Sequence, residues 1–175
     1  MNDQLLHFYC VTRSQTSQQP TPLELILKKS YAELEACHDF IQWIFPTCTP
    51  SKFNLNAPIL DDQTMIKLKK STIFHLHFHN VLHKMWDFWG FEFTTEFARN
   101  TIIVRKLKPM RNWMRAGDHN MLRMTRCMES CRLLGWNKAA ESMFRVLMEF
   151  SVPLSEFNIP FITQDNLNYW YNAAY

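Results

Sequence analysis

The sequence predicts an all-α protein: a single compact multi-helix domain of about six to eight helices over residues 1–175, with a possible short β-hairpin around 91–105. Three observations predict it. Glycine occurs only three times in 175 residues, at Gly90, Gly117 and Gly135, too few for a turn-rich β-sandwich. Long segments repeat apolar residues at about 100° per residue. Helix-start signals recur, with Thr21 and Ser30 each followed three residues on by Glu. The length suits one domain, and 47% hydrophobic residues supply a core that excludes a disordered chain.

The elements follow in order. LLHFY near the start forms a short first element, and RSQTSQQPT (13–21) reads as a loop. Thr21, Pro22 and Glu24 give an N-cap, a first-turn proline and a capping-box acid. Ser30 with Glu33 repeats the signal, so a second helix is expected from about residue 31 to Pro46, which cannot extend it. Residues 46–60 form an irregular connector. Asp61 or Asp62 caps a short helix through Lys70, and Ser71 caps the next through Trp89, with Gly90 as its stop. FEF and TIIV within 91–106 have strand chemistry. Pro109 opens a helix through Arg115, ended by Gly117. Asp118 caps a helix to Leu134 whose apolar stripe is Met121, Met124, Cys127, Met128, Cys131 and Leu134. Asn137 starts another, carrying Met143, Phe144, Leu147 and Phe150, closed by Pro153. Thr163 caps a short last helix through Asn172.

Several function classes drop out. No glycine-rich phosphate cradle and no GxSxG nucleophile motif occurs. The five cysteines form no CxxC pair, the N-terminus has no apolar signal core, and no apolar run approaches a membrane span. A soluble, cytoplasmic protein with free thiols is expected; delivery to, or residence in, another cell's cytoplasm or nucleus is the alternative. Charge is uneven. Residues 99–132 carry nine basic and two acidic side chains, while the flanking segments are each net acidic. That basic segment reads either as a solvated face or as a surface for polyanions.

Three polar constellations need an explanation. In ACHDFIQWIFPT (36–47), a continuous helix places His38 and Gln42 one turn apart at the edge of the apolar face, with Asp39 and Trp43 further round. In DHNMLRMTRCMES (118–130), His119, Arg123 and Arg126 share a stripe bordered by Asn120, where two guanidiniums can clamp a carboxylate or phosphate. Internal pairing is the competing explanation for both sets, since buried polar groups need partners. In IFHLHFHNVLH, His75, His79 and His83 share one flank, but a straight helix cannot wrap three ligands around one metal, so no metal and no cofactor is expected.

These segments carry a resemblance. LEACHDFIQWIFP (34–46) resembles the LExxHDYIQWLFP signature of the opioid growth factor receptor conserved domain family. SKFNLNAPILDD (51–62) is similar to the segment that follows it in that family's bacterial members, and HNMLRMTRCMESCRLLG (119–135) to their HNxLRITRxLxSLxxLG helix. The order and spacing agree, and the likeness, to a short, bacterial-type member, covers roughly residues 4–150. Trp89-Gly90 stands where FYG is usual, and 151–175 reads as a C-terminal tail packing on the domain. The resemblance implies a mostly helical domain. For vertebrate members it implies signalling receptor activity through binding of the opioid peptide Met-enkephalin. The matching polar residues are His38, Asp39, Gln42, Trp43, His119, Asn120, Arg123 and Arg126.

The leading expectation is a non-catalytic module in which those residues, with Trp113, line a His/Arg/Trp notch for a peptide or small anionic ligand. One alternative is nucleic-acid or other polyanion binding by Arg99, Arg105, Lys106, Lys108, Arg111 and Arg115. Another is a structural or host-interaction protein with no small ligand. An enzyme using His38 or His119 as acid or base would lack an accompanying nucleophile or cofactor motif.

Overall fold

The computed structural model describes residues 2–11, 20–96, 101–108, 113–115, 117–151 and 162–175, the side chains of 96, 101 and 150 excepted. Among them the chain is mostly helical, with one antiparallel hairpin. The elements are α1 (Asp3–Cys10), α2 (Pro22–Lys28), α3 (Tyr31–Ala36), α4 (Ile41–Ile44), α5 (Asp62–Lys70), α6 (Thr72–Trp89), β1 (Phe91–Glu96), β2 (Thr101–Leu107), α7 (His119–Leu133), α8 (Asn137–Ser151) and α9 (Gln164–Ala174). They divide into two compact units, Met1–Lys84 and Met85–Tyr175.

In the first unit the local signals set the helix starts. Asn2 caps α1, Thr21 and Ser30 form full capping boxes on α2 and α3, and Asp61 caps α5. The Ser71 hydroxyl accepts the Phe74 amide at 3.1 Å and starts α6. The interior is aromatic. Tyr9 meets Phe74 edge-on at 5.0 Å, Phe74 stacks on Phe78 at 5.2 Å, and Phe45 meets Phe78 at 6.1 Å. Such pairs contribute roughly 0.5–1.5 kcal/mol each beyond the area they bury. The Tyr9 hydroxyl donates to the Ile44 carbonyl, so the one polar atom in this cluster is satisfied.

One expectation is corrected here. The stretch from Tyr31 to Pro46 is not one helix. Helix α3 stops at Ala36, Cys37 is extended, and the chain bends through residues 38–40 before the single turn of α4. The cause is burial. Leu34, Phe40, Ile41, Ile44 and Phe45 all enter the core. On an unbroken helix Phe40 would point about 120° away from Leu34. The bend lets both bury, and it removes the i, i+4 relation expected of His38 and Gln42.

The second unit holds the end of α6, the hairpin and α7–α9. Gly90, at φ 86°, ends α6 in a backbone region that side-chain-bearing residues rarely adopt. Strands β1 and β2 pair antiparallel with Phe91 opposite Leu107 and an irregularity after Glu92. A lone hairpin is marginal in water. This one is held because β2 packs against α8, burying Ile102, Val104 and Leu107, and the Val104 amide donates to the Ser142 hydroxyl at 3.0 Å. Helix α9 packs on α7 and α8, and Trp170 donates its indole N–H to the Met121 carbonyl at 3.3 Å. Of the helix expected over 109–115, residues 113–115 form a turn and bend, and 109–112 lie outside the described residues, as do Pro153 and the Phe150 side chain.

Candidate functional site

An open cavity of 840 Å³ lies in the first unit. One wall is α1, which presents Asp3, Gln4, His7 and Phe8, the i, i+1, i+4, i+5 positions of one face. The α2 segment also lines it, with Pro22, Leu25, Ile26 and Lys29 at i, i+3, i+4 and i+7. The bend after α3 adds Cys37, Asp39, Phe40 and Trp43 to the lining. Phe8 and Phe40 are buried, and Phe8 contacts the Trp43 ring at 5.5 Å. Carboxylates (Asp3, Asp39), an ammonium (Lys29), an imidazole (His7) and an amide (Gln4) sit on this apolar frame. Lys29 Nζ donates to Cys37 Sγ at 3.5 Å.

The cavity contains two of the sequence-nominated residues, Asp39 and Trp43. His38 is exposed and does not line it. Gln42 is buried, donates to the Ser51 hydroxyl at 3.4 Å, and its Oε1 has no hydrogen-bond partner among the described residues. Sequence reasoning overlooked both helical walls. A signal existed in PLELILKK: a seven-residue helix carries apolar side chains nearly all round. Leu23 enters the core, whereas Leu25 remains 53% exposed on the cavity wall. A capped surface helix that is apolar on two sides serves two neighbours.

In the second unit, Asp118, Asn120 and Arg123 form an interior network. Asn120 is fully buried. Its Oδ1 accepts the Trp89 indole N–H at 3.0 Å and Arg123 Nη1 at 3.3 Å, and its Nδ2 donates to Asp118 Oδ1 at 3.0 Å. Asp118 also accepts the Asn120 backbone amide at 2.8 Å and pairs with Arg115 at 2.8 Å. Burial alone would raise the Asp118 pKa; the Asn120 amide, Arg115 and the Asn120 side chain outweigh it and hold the carboxyl below its ordinary value. Trp113 donates its indole N–H to the Trp89 carbonyl at 2.9 Å, which ties the turn at 113–115 to the end of α6. His119 is half-buried, with Nε2 3.4 Å from Asn120 Nδ2. Arg126 is half-buried; burial pulls its pKa down and Glu129 opposes that.

The basic segment is partly engaged. Arg105 donates to the Thr94 hydroxyl at 3.1 Å, and Arg115 is held by Asp118. Lys106 is exposed and Lys108 half-buried. Arg99 and Arg111 lie outside the described residues. No described helix is long and apolar enough to cross a membrane.

Comparison with known proteins gives a consistent result. The opioid growth factor receptor (OGFr) conserved region matches residues 3–175. The chain is 26% identical over 147 residues to the opioid growth factor receptor of Rattus norvegicus, and 25% identical over 147 residues to that of Mus musculus. It is 26% identical over 151 residues to opioid growth factor receptor-like protein 1 of Xenopus tropicalis. These matches cover 84–85% of this chain but only 23–29% of the relatives, so the chain spans about a quarter of their length. No solved structure matches it. The signature around the bend at 36–47, the helix begun by Asp118 and the match along nearly the whole chain agree: the chain belongs to the opioid growth factor receptor conserved-region family.

Proposed function

We propose that the chain is a non-catalytic binding module, and that the cavity between α1, α2 and the bend at 37–43 receives a short peptide. The observation that carries this reading is the cavity itself. Its 840 Å³ lies within the range of about 300–1,000 Å³ occupied by ligand sites, and it combines apolar walls with a few charged groups. Leu25, Ile26, Phe8 and Trp43 would take an aromatic or aliphatic side chain. Lys29 and His7 would hold a carboxylate, and Asp3 and Asp39 an ammonium group. Relatives named as receptors for an opioid growth factor support a peptide as the ligand class.

In this reading Asp39 and Trp43 are ligand contacts, and Asn120 and Arg123 are scaffold. Replacing Arg123 with Gln therefore costs stability, because the interior network loses a member. The test is calorimetric titration with Met-enkephalin, the peptide implied by the family resemblance, against the native chain, Leu25→Asp and Asp39→Asn. Leu25 and Asp39 are exposed, so both variants keep the core. The expected result is a binding heat that weakens at least tenfold in Leu25→Asp, or about 1.4 kcal/mol. Equal affinity in all three chains, or no heat with the native chain, would overturn the reading.

A further inference from the structure

Lys29 and Cys37 lie eight residues apart, at the C-terminal caps of α2 and α3, and meet on the lining of the cavity with Nζ 3.5 Å from Sγ. Both are half-buried and line the cavity, so a small oxidant entering it reaches them. The other thiols differ. Cys48 is exposed, Cys127 and Cys131 are buried in α7, and Cys10 lies 3.5 Å from the Ser71 hydroxyl. We propose that Lys29 and Cys37 form a peroxide-sensitive covalent bridge, Nζ–O–Sγ, on the lining of the cavity.

The chemistry balances in two steps. Hydrogen peroxide oxidises the Cys37 thiol to a sulfenic acid and leaves as water. The Lys29 ammonium releases a proton to solvent. A second peroxide then removes one hydrogen from the amine and one from the sulfenic hydroxyl as the N–O bond forms, and is itself reduced to two waters. Sulfur and nitrogen are oxidised; both peroxides are reduced. Two equivalents of a dithiol reverse the bridge to amine, thiol and water.

This inference stands apart from the ligand reading, because its readout is a mass. The bridge adds one oxygen and removes two hydrogens, and it blocks tryptic cleavage after Lys29. Digestion of the peroxide-treated full chain carrying Cys48→Ser should then yield a looped peptide of residues 29–52, collapsed by dithiothreitol. Lys29→Arg should lack the loop and show a Cys37 sulfenic acid that dimedone traps. Dimedone capture at Cys37 with Lys29 still cleaved, or an unmodified Cys37 under peroxide that fully oxidises Cys48 of the native chain, would overturn the proposal.

Discussion

Asn120 shows what one side chain holds in place. Its amide satisfies an indole donor, a guanidinium and a carboxylate, all within the second unit and away from solvent. An apolar replacement of similar size takes away the acceptor of the Trp89 indole N–H and of Arg123 Nη1, and losing the acceptor of a buried donor costs about 1–3 kcal/mol. Asn120→Leu should therefore lower the unfolding free energy by at least about 2 kcal/mol in a urea titration, with the slope unchanged. A loss within about 0.5 kcal/mol, the range of ordinary surface substitutions, would mean the network does not stabilise the fold. The sequence placed Asn120 beside the apolar stripe of its helix, which is correct. It offered no means of seeing that Trp89, 31 residues earlier, supplies the donor. Pairing across that distance is a tertiary fact, so the same pattern reads equally well as a ligand clamp.

At the scale of elements, what could be read in advance was what is local. The boxes at Thr21 and Ser30, the Asp61 and Asp118 caps and the Gly90 stop each involve groups within a few residues, and each appears where the sequence placed it. The bend at 37–40 was illegible because nothing in ACHDF forbids a helix; the burial of Phe40 selects it. The candidate site was obscured for the same reason, since the cavity exists only once α1 and α2 face that bend. Two substitutions test the local account. Ser30→Ala removes the oxygen that accepts the Glu33 amide at 3.3 Å and should cost about 1 kcal/mol, seen as a lower urea midpoint. Ser142→Ala strands the Val104 amide, and hydrogen exchange at that single N–H is the reporter. It should exchange faster than in the native chain, by a factor of about 10 if about 1.4 kcal/mol of local protection is lost.

At the scale of the whole molecule, acid should act in two stages, His79 first and then the carboxylates whose pKa is depressed, Asp118 with Asp61 and Glu33. His79 is buried on α6, and its pKa is lowered, first by burial and further by His83, against an opposing hydrogen bond with Asn80. A histidine kept neutral in the fold stabilises fully above its unfolded value of about 6.5, and that contribution fades as pH falls toward the folded value. Asp118 follows later. Its depressed pKa gives stability that is present above about 3.9 and is lost only as pH falls through the folded value. Between the stages net charge becomes more positive, and the basic run at 99–132 adds self-repulsion that no single residue explains. The two sources are separable. His79→Leu should flatten the stability profile below about pH 6.5, where the unfolded histidine begins to take up its proton, and leave the fall below about pH 4 in place. Asp118→Asn keeps an N-cap side chain but loses the charge, so it should lower stability at neutral pH and make the lowest part of the profile shallower. If both variants run parallel to the native chain from pH 7 to 3, acid lability belongs to the charge total, and neither buried group is its source.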